Sequence, residues 1–460
     1  MTLAPAKYAH YFADFQSLSQ GPGAGAPSWL RDIRENAWSR FNDTGFPTAR
    51  RGNERWKYTN VGPIARIDFG RQLGPIQANG TKTLAPAYEL DGPEVYHLVF
   101  LDGRFSPEHS SPTAGSDGVT ASSLVTITAD SSFELENHIG HYAPLDDYGF
   151  TALNTAFLHD GAYIHVADGH AEKVVVRLSY VTTGIPPEDG GPKVTHPRTL
   201  IVAGRNTDIT VVESYTGPKE NAYFTNAVTE ISVGDGARVD HYRLLLDGEK
   251  AFHVGTSRVK QDKDSSFSSA SFALGTALAR NDLEVLLDAP GAYCNLNGLY
   301  LTADNQHIDN LISIDHAKPH CTSRLNYKGI LDGKSRAVFG GEVIVRRDAQ
   351  KSDAQQTDKN LLLSQAAEVD SKPSLLIYAD DVICSHGATA GHIDADTMFY
   401  LRSRGLDYDT ASRMLVHAFA TEIIEKVKPE PLREYLDTIF AAAIPNKSIP
   451  IKNFPGGRSK

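Results

Sequence analysis

Hydrophobic positions fall into two regimes along this chain. From about Tyr96 to Cys384 they come in short runs rich in Val, Ile, Leu, Tyr and Phe. Examples are Val174-Val175-Val176, Thr199-Leu200-Ile201-Val202, Ile209-Thr210-Val211-Val212, Ala227-Val228-Thr229-Glu230-Ile231 and Arg336-Ala337-Val338-Phe339. Turn signals such as Gly234-Asp235-Gly236, Asp247-Gly248 and Asp332-Gly333 separate many of them. Runs this short, at spacings of roughly ten residues or a little more, predict the strands of a mainly β domain. Carrying so many strands in one sandwich would need two very wide sheets. A stacked solenoid grows without that limit. No strict short repeat is present, so the pattern by itself leaves sandwich, barrel and solenoid open.

Outside that region the apolar period is 3.6. Residues 1–60 read as helix and loop. Gly21-Pro22-Gly23-Ala24-Gly25-Ala26-Pro27 is a break, and Ser28 is the expected N-cap. Leu30, Ile33, Ala37 and Phe41 follow at helical spacing until Gly45 and Pro47. Trp29 and Trp38 read as packing residues. After His392, Asp394 is expected to cap a helix through Met398, Leu401 and Arg402, with Gly405 at its C′ position. A second helix starts near Asp409, with Ala411, Leu415, Phe419 and Ile423 on one stripe and Arg413, Glu422 and Glu425 on a charged face. A third follows Pro431, with Leu432, Leu436, Ile439 and Phe440 inward. The expected domains are 1–95, helical and mixed; 96–390, the β core; 391–445, helical; and 446–460, a loosely ordered tail.

Composition narrows the function classes. The 460 residues are too many for one ordinary core. They are 41% hydrophobic and 22% charged, a normal globular balance. A formal net charge of −11 disfavours nucleic acid or an anionic membrane surface as partner. No secretion signal and no apolar run of membrane-spanning length is visible. Three widely separated cysteines make no disulfide framework. A reducing cytoplasmic setting is expected, or an organelle if a transit peptide has been removed.

The densest grouping of soft donor atoms is Cys384-Ser385-His386, at the end of the apolar run Ile377-Tyr378-Ala379-Asp380-Asp381-Val382-Ile383. Side chains two apart on a strand share a face, so the thiol and the imidazole can point into one volume. Two ligands are fewer than the four of structural zinc or cluster sites. The pair is therefore either structural, a buried cysteine beside a hydrogen-bonded histidine, or part of a site that another chain completes. His316, His320 and Cys321 surround Pro319, which argues against a helix, and read as a turn between strands. Cys294 reads as core. Gly329-Ile330-Leu331-Asp332-Gly333-Lys334-Ser335 has three residues between its glycines where a phosphate loop needs four, and reads as a hairpin-like turn. Asp380 and Asp381 are adjacent, so on a strand they would face opposite ways. That argues against the paired carboxylates of a glycosidase.

The stretch Asn360–Gly405, with Asn360-Leu361-Leu362-Leu363-Ser364, Cys384-Ser385-His386-Gly387 and Phe399-Tyr400-Leu401-Arg402-Ser403-Arg404-Gly405, closely resembles the SufB/SufD family of iron–sulfur cluster assembly scaffolds. The resemblance extends to Arg55-Trp56-Lys57-Tyr58-Thr59 and His316-Ala317-Lys318-Pro319-His320-Cys321. It implies a right-handed parallel β-helix core flanked by N-terminal and C-terminal helical segments. It also implies a non-catalytic scaffold subunit, with ATPase activity in a partner, SufC, docked on the Tyr400–Ile424 region. The family's motif histidine lies at the interface with SufB. This implies cluster assembly at His386, with Cys384 as an interface thiol, and the two as metal donors shared with SufB. A SufB chain has cysteine where this one has Asp358, and glutamate where it has Gly387. The resemblance is therefore to the partner of SufB. No cofactor is expected to stay on this chain alone. Iron or a nascent cluster would sit transiently at the SufB interface, and the assembled complex leaves room for a flavin. An open edge strand would pair with SufB, or with a second copy in isolation. The competing readings are a β-helix carbohydrate-active enzyme and a SufB-like homo-oligomeric scaffold.

Overall fold

The computed structural model describes residues 8–50, 53–71, 86–90, 92, 94–111, 118–128, 135–145, 149–187 and 190–445. The expected tail, 446–460, lies outside the described residues.

Two ten-stranded sheets face each other and form a parallel β-solenoid. The first runs, in spatial order, β2 (Arg104–Phe105), β1 (Glu94–Leu101), β5 (Val174–Val181), β8 (Asp208–Thr216), β10 (Arg238–Leu246), β12 (Ser266–Leu274), β14 (Tyr293–Thr302), β16 (Thr322–Leu331), β18 (Asp353–Leu362) and β20 (Ile383–Gly391). The second runs β19 (Glu368–Ile377), β17 (Arg336–Val345), β15 (His307–His316), β13 (Leu278–Leu287), β11 (Phe252–Gln261), β9 (Tyr223–Val233), β7 (Arg198–Ala203), β4 (Ala162–Val166) and β3 (Val119–Ser123), with β6 (Lys193–Thr195) also on β9. The chain alternates between sheets, so each turn stacks on the one before. Leu278 pairs with His307 and His307 with Arg336, an advance of about thirty residues per turn, within the usual range of solenoid repeats.

Alternate residues of every strand point inward. Ile209, Val239, Phe267 and Cys294 form one such row, and Val211, His241, Ser269 and Leu296 the next. The apolar members make the main core. Several large inward side chains face a glycine across the stack. A Cβ on Gly298 would come 2.2 Å from the ring of Tyr327, and one on Gly329 would come 2.4 Å from Tyr300. The Gly329–Ser335 stretch is thus explained by packing. Gly329–Leu331 end β16 and Asp332–Ser335 turn the corner to β17 in the other sheet, so the stretch is not the hairpin its sequence suggested.

Helices cover the outer faces. On the second sheet lie α1 (Ala9–Gln20), α2 (Ser28–Thr44) and α5 (Gly149–Ala156), packed through Phe15, Phe41 and Phe150 on Phe224 and Val254. The short helices α3 (Gly62–Ala65) and α4 (Leu124–Thr128) lie between them in sequence. Pro27, not Ser28, holds the N-cap position of α2, and no side chain caps it. The Arg55–Thr59 motif fastens this layer to the solenoid. Arg55 donates to Asp282 and Glu284, Trp56 is buried under the Arg280 guanidinium at 3.8 Å, and Thr59 donates to Asp309 at 2.5 Å.

On the first sheet lie α6 (Ala395–Ser403), α7 (Tyr408–Ile424) and α8 (Glu430–Ala443). Asp394 caps α6 through the Thr397 amide at 2.7 Å, and Gly405 follows with φ 97°. The second helix starts earlier than the sequence suggested, because Asp407 takes the cap. Its buried stripe is Ala411, Val416, Ala420 and Ile423, with Leu415 and Phe419 at the margin. Leu432, Leu436 and Phe440 of α8 are fully buried against Phe272 and its neighbours.

Candidate functional site: the open end of the solenoid

The two ends of the stack differ. At the N-terminal end, β1 and β4 are each covered by an antiparallel strand, β2 and β3. At the C-terminal end, β19 and β20 carry no further strand among the described residues. Their free edges leave rows of backbone donors and acceptors unpaired. Apolar side chains stand around them: Leu376, Ile377, Tyr378 and Ile383, the last two 63% and 68% exposed.

Cys384 and His386 both lie on β20. In the register with β18, Cys384 is opposite Ala354 and His386 opposite Gln356. Ala354 and Gln356 are inward residues, buried in the core, so both candidate side chains share the inward row. The shared face read from their spacing is therefore present. Because the stack ends there, the row is open. His386 is exposed. Cys384 is half-buried against the core, and burial pushes its thiol up from the ordinary range. It is held as a neutral thiol until something lowers that value.

The other sulfur and imidazole candidates are spread out. Cys294 lies fully buried three strands back along the same row as Cys384. His316 is buried and bonded to Ser323 and Ser352. His320 sits in the turn after β15 with φ 61°, and Cys321 holds the Ala289 carbonyl. His320 and Cys321 thus lie in the expected turn, His316 is instead the last residue of β15, and Cys294 is a core thiol. Among the described residues no three His, Cys, Asp or Glu side chains come together as a metal site. Asp380 and Asp381 occupy the turn before β20, with Asp381 paired to Lys351.

Beneath the open row lie residues whose part the sequence did not reveal. Gln356, Asp358 and Asn360 point inward from β18 and are buried. Asp358 accepts hydrogen bonds from Asn360 at 2.8 Å and Ser371 at 2.7 Å. Burial pushes its carboxyl up to about 6, against the pull of those two bonds. Their period-two spacing was the available signal. It was masked because the intervening Gln355, Thr357 and Lys359 are polar as well.

Comparisons with known proteins show the family. Residues 5–178 match the model for the SufBD protein N-terminal region, and residues 186–419 match the SufBD core domain of the SUF system for FeS cluster assembly. The chain belongs to the SufBD family. An iron–sulfur cluster assembly SufBD family protein of Synechocystis is 34% identical over 87% of this chain and 88% of its own length. The iron–sulfur cluster assembly protein SufD of Escherichia coli is 33% identical over 85% and 88%. A chloroplastic protein of Arabidopsis thaliana, ABCI7, is 29% identical over 91% and 86%. This SufBD-family chain is thus an iron–sulfur cluster assembly protein whose solenoid ends in an exposed motif histidine. No helix among its described residues is long and apolar enough to cross a membrane.

Proposed function

We propose that this chain is the SufD-type scaffold subunit of a complex with SufB and SufC, and that it supports iron entry and cluster formation at its contact with SufB. The observation that carries this reading is His386 on an unpaired, apolar-rimmed edge strand. A matching edge in SufB would continue the sheet through backbone hydrogen bonds. That apposition brings the His386 imidazole and the Cys384 thiol against donors of the other subunit, with the iron or nascent cluster as cargo between them. Asp358 in the place of the SufB cysteine leaves the thiolate to SufB. The same edge also suits a second copy of this chain when SufB is absent.

The helical annex supplies the second contact. Phe399, Tyr400 and Met414 are each at least half exposed on α6 and α7, an apolar group that fits SufC docking. Lys328 of β16 reaches Glu422 and the Phe419 carbonyl of α7. Lys426 bonds Asn297 of β14, and Lys428 bonds Asp240 of β10. A force applied to α7 by the ATPase would therefore reach β16, from which β18 and β20 continue the sheet to the open end. This chain contributes no hydrolytic chemistry of its own and works in the cytoplasm or the equivalent organellar compartment.

His386→Ala tests the reading. The variant should still co-purify with SufB and SufC, while anaerobic cluster formation on the complex, followed by visible absorption, falls to background. Clusters built at the wild-type rate would make the imidazole a bystander.

A further inference from the structure

The outward positions of the last strands of the second sheet line up in rows. One row runs Leu311, Gly340, Lys372, and the row two places on runs Ser313, Glu342, Ser374. The next brings Ile344 and Leu376 side by side. The helices α1, α2 and α5 pack farther back, on Phe224 of β9 and Val254 of β11. Two cavities lie next to each other on this outer face, of about 170 Å3 and about 440 Å3, with Arg55, Ser313 and Glu342 in the walls of both. The smaller is floored by Leu311, Val338 and Gly340 and reaches Lys372 and Ser374 of β19, the last strand of its sheet. The larger continues past Ile344. Gly340 keeps the smaller one open, because a Cβ on it would come 2.7 Å from Leu311 Cδ1. A glycine inside a strand is a recurrent mark of close approach by a ligand or another chain.

The charges in the two walls balance at every position but one. Arg55 and Arg258 pair with Asp282 and Glu284. Lys260 pairs with Asp262, Arg346 with Asp315, and Lys372 with Glu54. Asp309 pairs with Arg280. Glu342 is half-buried, and among the described residues it has neither an ion-pair nor a hydrogen-bond partner. It stands where the two cavities meet. The face therefore offers one uncompensated negative charge with apolar floor on both sides.

We propose that this outer face seats an extended segment of the subunit at the open end, with one lysine or arginine of that segment against Glu342. The stem of such a side chain lies along Leu311 and Ile344 while its charged head meets the carboxylate. Leu376 gives the path its direction. It is 38% exposed and carries apolar surface from Ile344 to the free edge of β19. A partner at that edge thus has a continuous route onto the outer face. That the subunit is SufB rests on the function proposed above; the charge and shape it must match do not.

The test uses the full chain co-expressed with SufB and SufC. Glu342→Lys should raise the dissociation constant for SufB by at least about tenfold, since like charges then meet across the contact, and should spare SufC. Glu342→Gln should weaken SufB binding less and flatten its dependence on salt. Neither variant breaks a hydrogen bond or ion pair of the fold, so thermal unfolding should keep the wild-type midpoint. Ser374→benzoylphenylalanine, opposite Glu342 on β19, should crosslink on irradiation to a SufB peptide that contains lysine or arginine. Unchanged SufB affinity in Glu342→Lys overturns the docking face and leaves the proposed function standing. A crosslink to a second copy of this chain, or to its own N-terminal segment, overturns it in the same way. A wild-type chain that binds no SufB at all overturns the proposed function, and this seat falls with it.

Discussion

At the scale of single residues, the interior of the solenoid is a set of size matches across the stack. Tyr327 fits because Gly298 faces it, and Tyr300 because Gly329 does. Gly298→Ala should therefore destabilise the chain by about 1–3 kcal/mol, the usual cost of forcing a methyl group into a filled core. Equilibrium denaturation read by near-ultraviolet circular dichroism would show it. A neutral or stabilising effect would mean the ring moves aside freely. The sequence placed Cys384 and His386 on one face because the period of a strand depends on nothing but its backbone. It did not reveal Gln356 and Asp358, because inward positions are recognised by apolar character and these are polar. Asp358 drew notice only as a residue that is not cysteine.

At the scale of elements, the three C-terminal helices were legible nearly residue by residue, since caps such as Asp394 and the spacing of Leu432, Leu436 and Phe440 act locally. The strands were legible as strands, but not as a solenoid. Arg336 pairs with Glu368, a longer step than that from His307 to Arg336, so loops of unequal length erase any strict repeat. β18 is the extreme case. Asp353-Ala354-Gln355-Gln356-Thr357-Asp358-Lys359-Asn360 has one apolar residue, and its conformation is imposed by β16 and β20 on either side. The helices also show why their deletion is a poor test of docking. Without these helices, Tyr242, Leu244, Phe272 and Leu301 of the first sheet would lose their cover, and each large apolar side chain exposed costs about 1.5–3 kcal/mol. Phe399→Asp combined with Tyr400→Asp changes only the exposed face. It should abolish SufC co-purification, spare SufB binding, and leave the unfolding temperature within a few degrees of wild type. Retained SufC in a pull-down would move the docking surface elsewhere.

At the scale of the whole molecule, acid should be a selective stress. His97, His159 and His316 are each held down to about 4, chiefly by burial. In the unfolded chain they take up protons near 6.5. Between those values the unfolded state binds more protons, so stability is complete above about 6.5 and drains away as the pH falls toward 4. For His316, fully buried between Ser323 and Ser352, the loss is on the order of 3 kcal/mol. Denaturation midpoints measured at pH 7.5 and pH 5 should separate, and His316→Gln should narrow the gap. A pH-independent midpoint would mean that these rings take up protons as readily in the fold as in the unfolded chain.

A stack that is capped at one end and bare at the other has a polarity of growth, and only its bare end can extend the sheets. If that rim takes both SufB and a second copy of the chain, as proposed, the two compete for it. Raising the dose of this subunit alone would then titrate its rims against each other and lower the yield of the mixed assembly. Output would depend on the ratio of the two subunits more than on the amount of either.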